Sequence, residues 1–257
     1  MPQLELKQVT KDFGGLKALE DVSFGLAEGE IVSLIGPNGA GKTTLFNCIT
    51  GTMPPTSGSI RFEGREIVGL TPHEVAQKGI ARTFQHIRLF DNMTVMENVM
   101  VGRDAKGRTG IFSGLLRPPW VAAEEKRSRE TCLEILGLFG ERLLPRLTQF
   151  PKMLSYANRR RLEIARALAI GPRLLLLDEP TAGMNPHETQ GIVDLIRHIR
   201  EEGYSMLIIE HKMKVVMTLS DRIVVLDHGQ KIAEGLPEDI AANDVVIEAY
   251  MGGRRRA

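Results

Sequence analysis

The segment GPNGAGKT at 36–43 follows directly on the apolar run IVSLI at 31–35 and leads into a helical pattern at 42–50. It matches GxxxxGK[ST], and strand, then loop, then helix is the context in which that pattern binds phosphate. Glycines let successive backbone N–H groups turn inward around phosphate oxygens, and the amino end of the following helix adds its positive partial charge. Lys42 can reach the outer phosphates, and the Thr43 hydroxyl suits Mg²⁺. A glycine-rich turn without a ligand is the competing reading.

Further apolar runs at 174–177, 206–209 and 223–226 are rich in Val, Ile and Leu without polar alternation, as in strands buried on both faces. Helical patterns at 159–169 and 187–202 lie between them. Strands alternating with helices predict an α/β fold with a mostly parallel core sheet. The first thirty residues and 57–68 alternate more and carry Gly turns, which predicts an N-terminal antiparallel β flank. From 85 to 155 the pattern turns helical and polar, broken at 102–120, and reads as a helical insertion with a long loop.

The 257 residues suit one large domain or two small ones. Lys and Arg number 33 against 32 Asp and Glu, and removing Arg254, Arg255 and Arg256 leaves 30 against 32. That balance lacks the footprint of a dedicated nucleic-acid binder. The three arginines read as a disordered tail, with contact to anionic lipid headgroups as the alternative. Cys48 and Cys132 suggest neither a disulfide framework nor a zinc site and fit a reducing cytoplasm. No apolar run approaches the ~20 residues of a membrane helix, and the start MPQLELKQVTKDF has no apolar signal region.

LLLLDEP at 174–180 ends a buried strand in two carboxylates. Burying unpaired charge is expensive, so a pair at this position wants a cation or a reacting proton. Asp178 is expected in the Mg²⁺ shell and Glu179 beside the attacking water. The runs 79–84 and 206–210 end in Gln85 and His211. Four strands therefore deliver Gly36, Gln85, Asp178 with Glu179, and His211 to one edge, where open α/β sheets bind ligands. His211 could contact the γ-phosphate and Gln85 could sense Mg²⁺ or water. In LSYANRRRLEIARALA at 154–169, Ser155 is a good N-cap, yet Arg159, Arg160 and Arg161 crowd the first turns, where the dipole disfavours cations. A solvated basic face and an anion docked at the helix start both remain open.

These elements, in this order and approximate spacing, resemble an ABC transporter ATPase over essentially the whole chain. ARTFQHIRLFDNMTVMENVMVG, RRLEIARALA, DEPTAGMNP, LIIEHKMKVVM and IEAYMGG resemble the branched-chain amino acid importer ATPases more closely. The resemblance implies a single cassette over 1–257 with a helical subdomain at roughly 88–165 and a basic tail at 252–257. It implies an ATP site of Gly36, Pro37, Asn38, Gly39, Ala40, Gly41, Lys42, Thr43 and Thr44, with Phe13 stacked on adenine. Thr43, Gln85 and Asp178 would surround Mg²⁺, and Glu179, His211 and Gln85 would serve hydrolysis. It further implies that two such subunits, favoured as a heterodimer, sandwich two ATPs and drive two membrane permease subunits. A periplasmic or extracellular solute-binding protein would act indirectly, and no nucleic acid would be involved. Such a subunit would sit peripherally on the cytoplasmic face of the inner membrane.

Two positions depart from the general family pattern. The LSGGQ signature reads Leu154, Ser155, Tyr156, Ala157, Asn158, so a methyl group stands where the backbone approaches the opposed γ-phosphate. That is tolerable where φ stays negative, as in a first helical turn. The D-loop acid is Asn185, which weakens any carboxylate role. A metabolic P-loop kinase or GTPase, and a soluble ABC protein working on DNA or ribosomes, are the rivals from other classes. Within transporters, ATPases of lipopolysaccharide export or of urea or amide import compete.

Overall fold

The computed structural model describes residues 2–104 and 119–252. Of the loop expected at 102–120, most lies outside the described residues, as do Arg254, Arg255 and Arg256. Among the described residues the strands form two sheets.

The first is the antiparallel flank. Strands β1 (Leu4–Phe13) and β2 (Leu16–Leu26) form a hairpin, and β4 (Ser57–Phe62) and β5 (Arg65–Glu66) extend it in the order β2-β1-β4-β5. Period-2 alternation turns Leu4, Leu6, Val22, Leu26, Ile60 and Phe62 inward while their neighbours face outward.

The second sheet carries β3 (Ile31–Ile35), β6 (Ile80–Arg82), β7 (Leu174–Asp178), β8 (Ser205–Ile209), β9 (Arg222–Asp227) and β10 (Gln230–Gly235), ordered β10-β9-β3-β8-β7-β6. All neighbours are parallel except β10, which returns antiparallel along β9. Every residue of β3, β7 and β8 is buried, because both faces are covered. Leu175 and Leu177 enter one apolar cluster with Ile192, Ile196 and Leu162, while Leu174 and Leu176 enter another with Phe46, Leu45 and the antiparallel sheet. The core sheet thus separates a helical layer from the layer that leads to the flank.

The helices are α1 (Lys42–Ile49), α2 (Pro72–Lys78), α3 (Val95–Asp104), α4 (Pro119–Gly137), α5 (Tyr156–Ala169), α6 (Pro186–Glu201), α7 (Met213–Leu219), α8 (Pro237–Ala241) and α9 (Asp244–Gly252). Helix α5 starts three residues before the expected 159, because Ser155 caps it and its Oγ accepts from the Asn158 N–H at 3.3 Å. Strand β6 is shorter than the run 79–84. Gly79 closes α2 in the left-handed region at φ 104°, and the ladder begins only at Ile80. Because β3, β6, β7 and β8 run parallel, their carboxyl ends share one edge, and the segments leaving that edge carry residues 36–44, 83–85, 179 and 210–211.

Candidate functional site

The loop after β3 is shaped by three glycines that lie at φ 149°, 83° and 99°, at positions 36, 39 and 41. A Cβ on Gly36 would stand 2.0 Å from the Leu226 carbonyl oxygen, and one on Gly41 would stand 2.4 Å from that of Ala18. Gly39 has nothing within 4 Å, so its side of the loop is open. Lys42 opens α1 and is buried; its Nζ donates to the carbonyls of Gly36 at 2.7 Å and Pro37 at 2.9 Å. Two of the three ammonium N–H groups are thus spent on its own loop. Burial lowers the Lys42 pKa, and the Glu179 and Asp178 carboxylates oppose that shift.

A recess of about 260 Å³ opens against this loop. Asn38, Gly39, Ala40, Gly41, Lys42, Thr43 and Thr44 line one side, and Gln85, Glu179 and His211 line the other. Glu179 Oε1 accepts from Gln85 Nε2 at 3.0 Å and lies 2.9 Å from His211 Nε2, the separation of an Nε2–H donor. Glu179 itself sits at φ 48°. A non-glycine residue held there stores on the order of 1 kcal/mol or more, strain that collects at functional sites. Its N–H donates to the Ile209 carbonyl at 2.9 Å, which ties the strained residue to β8.

Asp178 lies outside the lining of that recess and is buried. Its Oδ2 receives the Arg82 Nη2 at 2.9 Å, while Arg82 Nη1 donates to Asn47 Oδ1 at 2.7 Å. The cation that a buried carboxylate demands is present as a side chain. Neither Arg82 nor Asn47 stands out from sequence, since the pairing spans 96 residues.

The remaining expected residues lie elsewhere. Phe13 ends β1 half-exposed, with Lys11 Nζ 5.2 Å from its ring centroid, and so is not a core aromatic. Ser155, Tyr156, Ala157 and Asn158 form the cap and first turn of α5, and Ala157 is helical without positive φ. Asn185 caps α6: its Oδ1 accepts from the Glu188 N–H at 2.9 Å and its own N–H donates to Glu188 Oε2 at 3.2 Å. That reciprocal pair is a capping box.

The three arginines of α5 form no solvated basic face. Arg160 is fully buried and Arg161 nearly so. Arg160 Nη1 pairs with Glu163 Oε2 at 2.7 Å and donates to the Phe84 carbonyl at 2.6 Å, while Nη2 donates to the Gln85 carbonyl at 2.8 Å. Glu163 Oε1 accepts from the backbone N–H groups of Arg88 and Phe84 at 3.3 and 3.4 Å. Burial pushes the Glu163 carboxyl up, against Arg160 and those two donors. The buried Arg160–Glu163 pair, both on α5, therefore clips the segment carrying Gln85 to that helix through the backbone of residues 84, 85 and 88.

Comparison with known proteins places this arrangement. The family model described as ABC transporter matches residues 19–182. A second, described as branched-chain amino acid ATP-binding cassette transporter, matches 230–255. The chain is 46% identical over 252 residues to the high-affinity branched-chain amino acid transport ATP-binding protein LivG of Salmonella typhimurium, covering 98% of each chain. It is 45% identical over 256 residues to the corresponding protein BraF of Pseudomonas aeruginosa, again covering 98% of each. The chain belongs to the ABC transporter ATP-binding family. A solved ATP-binding cassette of an ABC transporter, in its ADP conformation, superposes with TM-score 0.85 at 33% identity over 98% of this chain and 99% of that one. A nucleotide-free cassette gives 0.84 at 33% identity over 97% and 99%. The expected α/β fold, with its parallel core and antiparallel flank, is that of an ABC cassette.

Proposed function

We propose that this ABC subunit hydrolyses ATP to power a membrane importer for branched-chain or related hydrophobic amino acids. The observation that carries the hydrolytic part is the single recess in which Lys42 and Thr43 face Gln85, Glu179 and His211. The names of the LivG and BraF relatives, and the branched-chain model over 230–255, support the solute class.

The triphosphate lies along residues 36–44, where backbone N–H groups and the amino end of α1 meet its charge. Lys42 reaches the outer phosphates, and Phe13, half-exposed at the end of β1, offers its ring to the adenine. Glu179 takes the proton of the attacking water as its oxygen bonds to the γ-phosphorus and the bond to ADP breaks. Gln85 and His211, both on Glu179 Oε1, hold that carboxylate in place, and His211 is within reach of the departing phosphate. The Thr43 hydroxyl and the amide oxygen of Gln85 line the recess and are hard oxygen donors that would hold Mg²⁺, with the Asp178 carboxylate, paired to Arg82 outside that lining, acting from behind them. Among the described residues no group of three or more His, Cys, Asp or Glu could hold a metal alone. These residues would hold such an ion only together with the nucleotide, and it would supply neutralisation of the triphosphate charge.

The whole cassette over 1–257, with a helical subdomain at 88–165 and a tail at 252–257, forms one half of an ATPase pair. Ser155, Tyr156, Ala157 and Asn158 at the start of α5, with Asn185, face the ATP held by a second, related subunit. The pair sits peripherally on the cytoplasmic face of the membrane against two permease subunits, with a solute-binding protein outside. No helix among the described residues is long and apolar enough to cross a membrane. Glu179→Gln tests the reading: ATP binding persists while hydrolysis falls about 10²- to 10³-fold. Near-normal turnover would sink the assignment of the base.

A further inference from the structure

Arg82 is the last residue of β6, one strand away from Asp178, and its side chain is 7% exposed against 4% for Asp178. Three observations make it a built site rather than an incidental ion pair. Its two terminal nitrogens are divided between Asp178 Oδ2 at 2.9 Å and Asn47 Oδ1 at 2.7 Å. Its guanidinium lies over two rings, 5.3 Å from the centroid of Phe46 and 5.2 Å from that of Phe84. Its Nε is buried without a hydrogen-bond partner. An arginine kept there with an unsatisfied donor costs stability, so packing alone does not account for it.

Phe46 and Asn47 belong to α1, which starts at Lys42, and Phe84 precedes Gln85. Arg82 thus joins the helix behind the phosphate loop, the segment carrying Gln85 and the carboxylate at the end of β7. A charge so placed does two things to Asp178. It fixes the orientation of the carboxylate through a charge-assisted bond anchored on Asn47. It also cancels most of the field that carboxylate would exert on a divalent cation beside the phosphates, because little water intervenes to screen either charge.

We propose that Arg82 is a positioning residue that sets how tightly the divalent cation is held at the nucleotide site, acting through Asp178. The inference rests on the nucleotide-site reading above. In wild type, Arg82 keeps Asp178 from clamping the cation, so that the cation leaves with the product nucleotide. Removing the positive charge while keeping a polar side chain exposes the full charge of Asp178 to the cation and tightens its hold.

The test uses the full-length protein with ADP and Mn²⁺ as probe, free Mn²⁺ being read by electron paramagnetic resonance. Arg82→Gln should bind Mn²⁺ in the ADP complex about three- to tenfold more tightly than wild type, the range expected when a like charge near a half-screened cation is removed. Arg82→Lys, which keeps the charge, should stay within about twofold. ADP binding in EDTA, followed by calorimetry, should be the same in all three. Unchanged or weaker Mn²⁺ binding in Arg82→Gln would overturn the proposal, as would Arg82→Lys moving as far as Arg82→Gln. Should Arg82→Gln not fold, Arg82→Met, which also removes the charge but leaves no polar end to bury, carries the same test: tighter Mn²⁺ supports the proposal and unchanged Mn²⁺ refutes it. Absence of ADP binding by wild type in EDTA would instead refute the nucleotide-site reading itself.

Discussion

Arg160→Met removes a fully buried guanidinium and leaves a side chain of similar length, so its effect isolates charge and hydrogen bonding from cavity formation. The Glu163 carboxylate, itself buried, then loses its counter-ion and keeps only the N–H groups of Phe84 and Arg88. Its cost is capped, because the group can take up a proton instead; neutralising a carboxyl of ordinary pKa at pH 7 costs at most about 3 kcal/mol. The carbonyls of Phe84 and Gln85 also lose a charged donor, about 1 kcal/mol each. The expected loss is about 4–5 kcal/mol, or a fall in Tm of roughly 10–15 °C for a chain of this size. The pH dependence has a defined sign. Glu163 has a raised folded pKa, so the favourable contribution of its neutral form is present below the unfolded value and disappears as pH rises through the folded one. Removing Arg160 raises that pKa further, so the gap between variant and wild type should be widest at pH 7–8 and should narrow as the pH falls toward 5. Differential scanning calorimetry at the two pH values measures both. A variant melting within about 3 °C of wild type at pH 7.5, or a gap that does not narrow on acidification, would refute the account of a buried, mutually dependent pair.

Gly41→Ala should abolish ATP binding and lower Tm, because the new Cβ meets the Ala18 carbonyl oxygen at 2.4 Å with φ at 99°. Gly39→Ala, at φ 83° with open space around it, should remain folded at a cost of about 1–2 kcal/mol; equal damage from both, by calorimetry and ATP titration, would contradict the close approach. Glu210 is buried, its carboxyl is pushed up by desolvation, and its Oε2 has no partner although Thr181 donates to Oε1. Its contribution is therefore present at acidic pH and lost as pH rises through the folded pKa. Glu210→Gln should match wild type near pH 4.5 and become progressively more stable than it toward pH 8, and a pH-independent difference in Tm would argue against that burial penalty.

Much of the architecture was legible from local pattern. The runs at 31–35, 174–177, 206–209 and 223–226 read as buried strands because two covered faces leave no polar alternation to blur them. Ser155 read as a cap because its hydroxyl needs only the N–H three residues on. Edge strand β10 escaped notice because its residues are half-wet and mixed in character. The arginines of α5 misled for a different reason. A run of three cations suggests a solvated face as one reading, and it is Glu163 together with the Phe84 and Gln85 carbonyls, some 75 residues away in sequence, that makes burial of Arg160 tolerable.

The glycine-rich loop at 36–43, the buried strands at 31–35, 174–177 and 206–209 and the residues that follow them were legible in the sequence alone, because each depends on neighbours within a few positions. Turn geometry, helix capping and strand burial are short-range properties, and GPNGAGKT after IVSLI leaves them little freedom. Tertiary structure decided which charges are buried and what neutralises them. Asp178 faces Arg82, Arg160 holds the backbone of Gln85, and Glu179 gathers Gln85 and His211 onto one oxygen, with separations of 96, 75, 94 and 32 residues. Electrostatic energy in a low-dielectric interior depends on distance in space and on exclusion of water. Neither quantity is written in the spacing of residues along a chain.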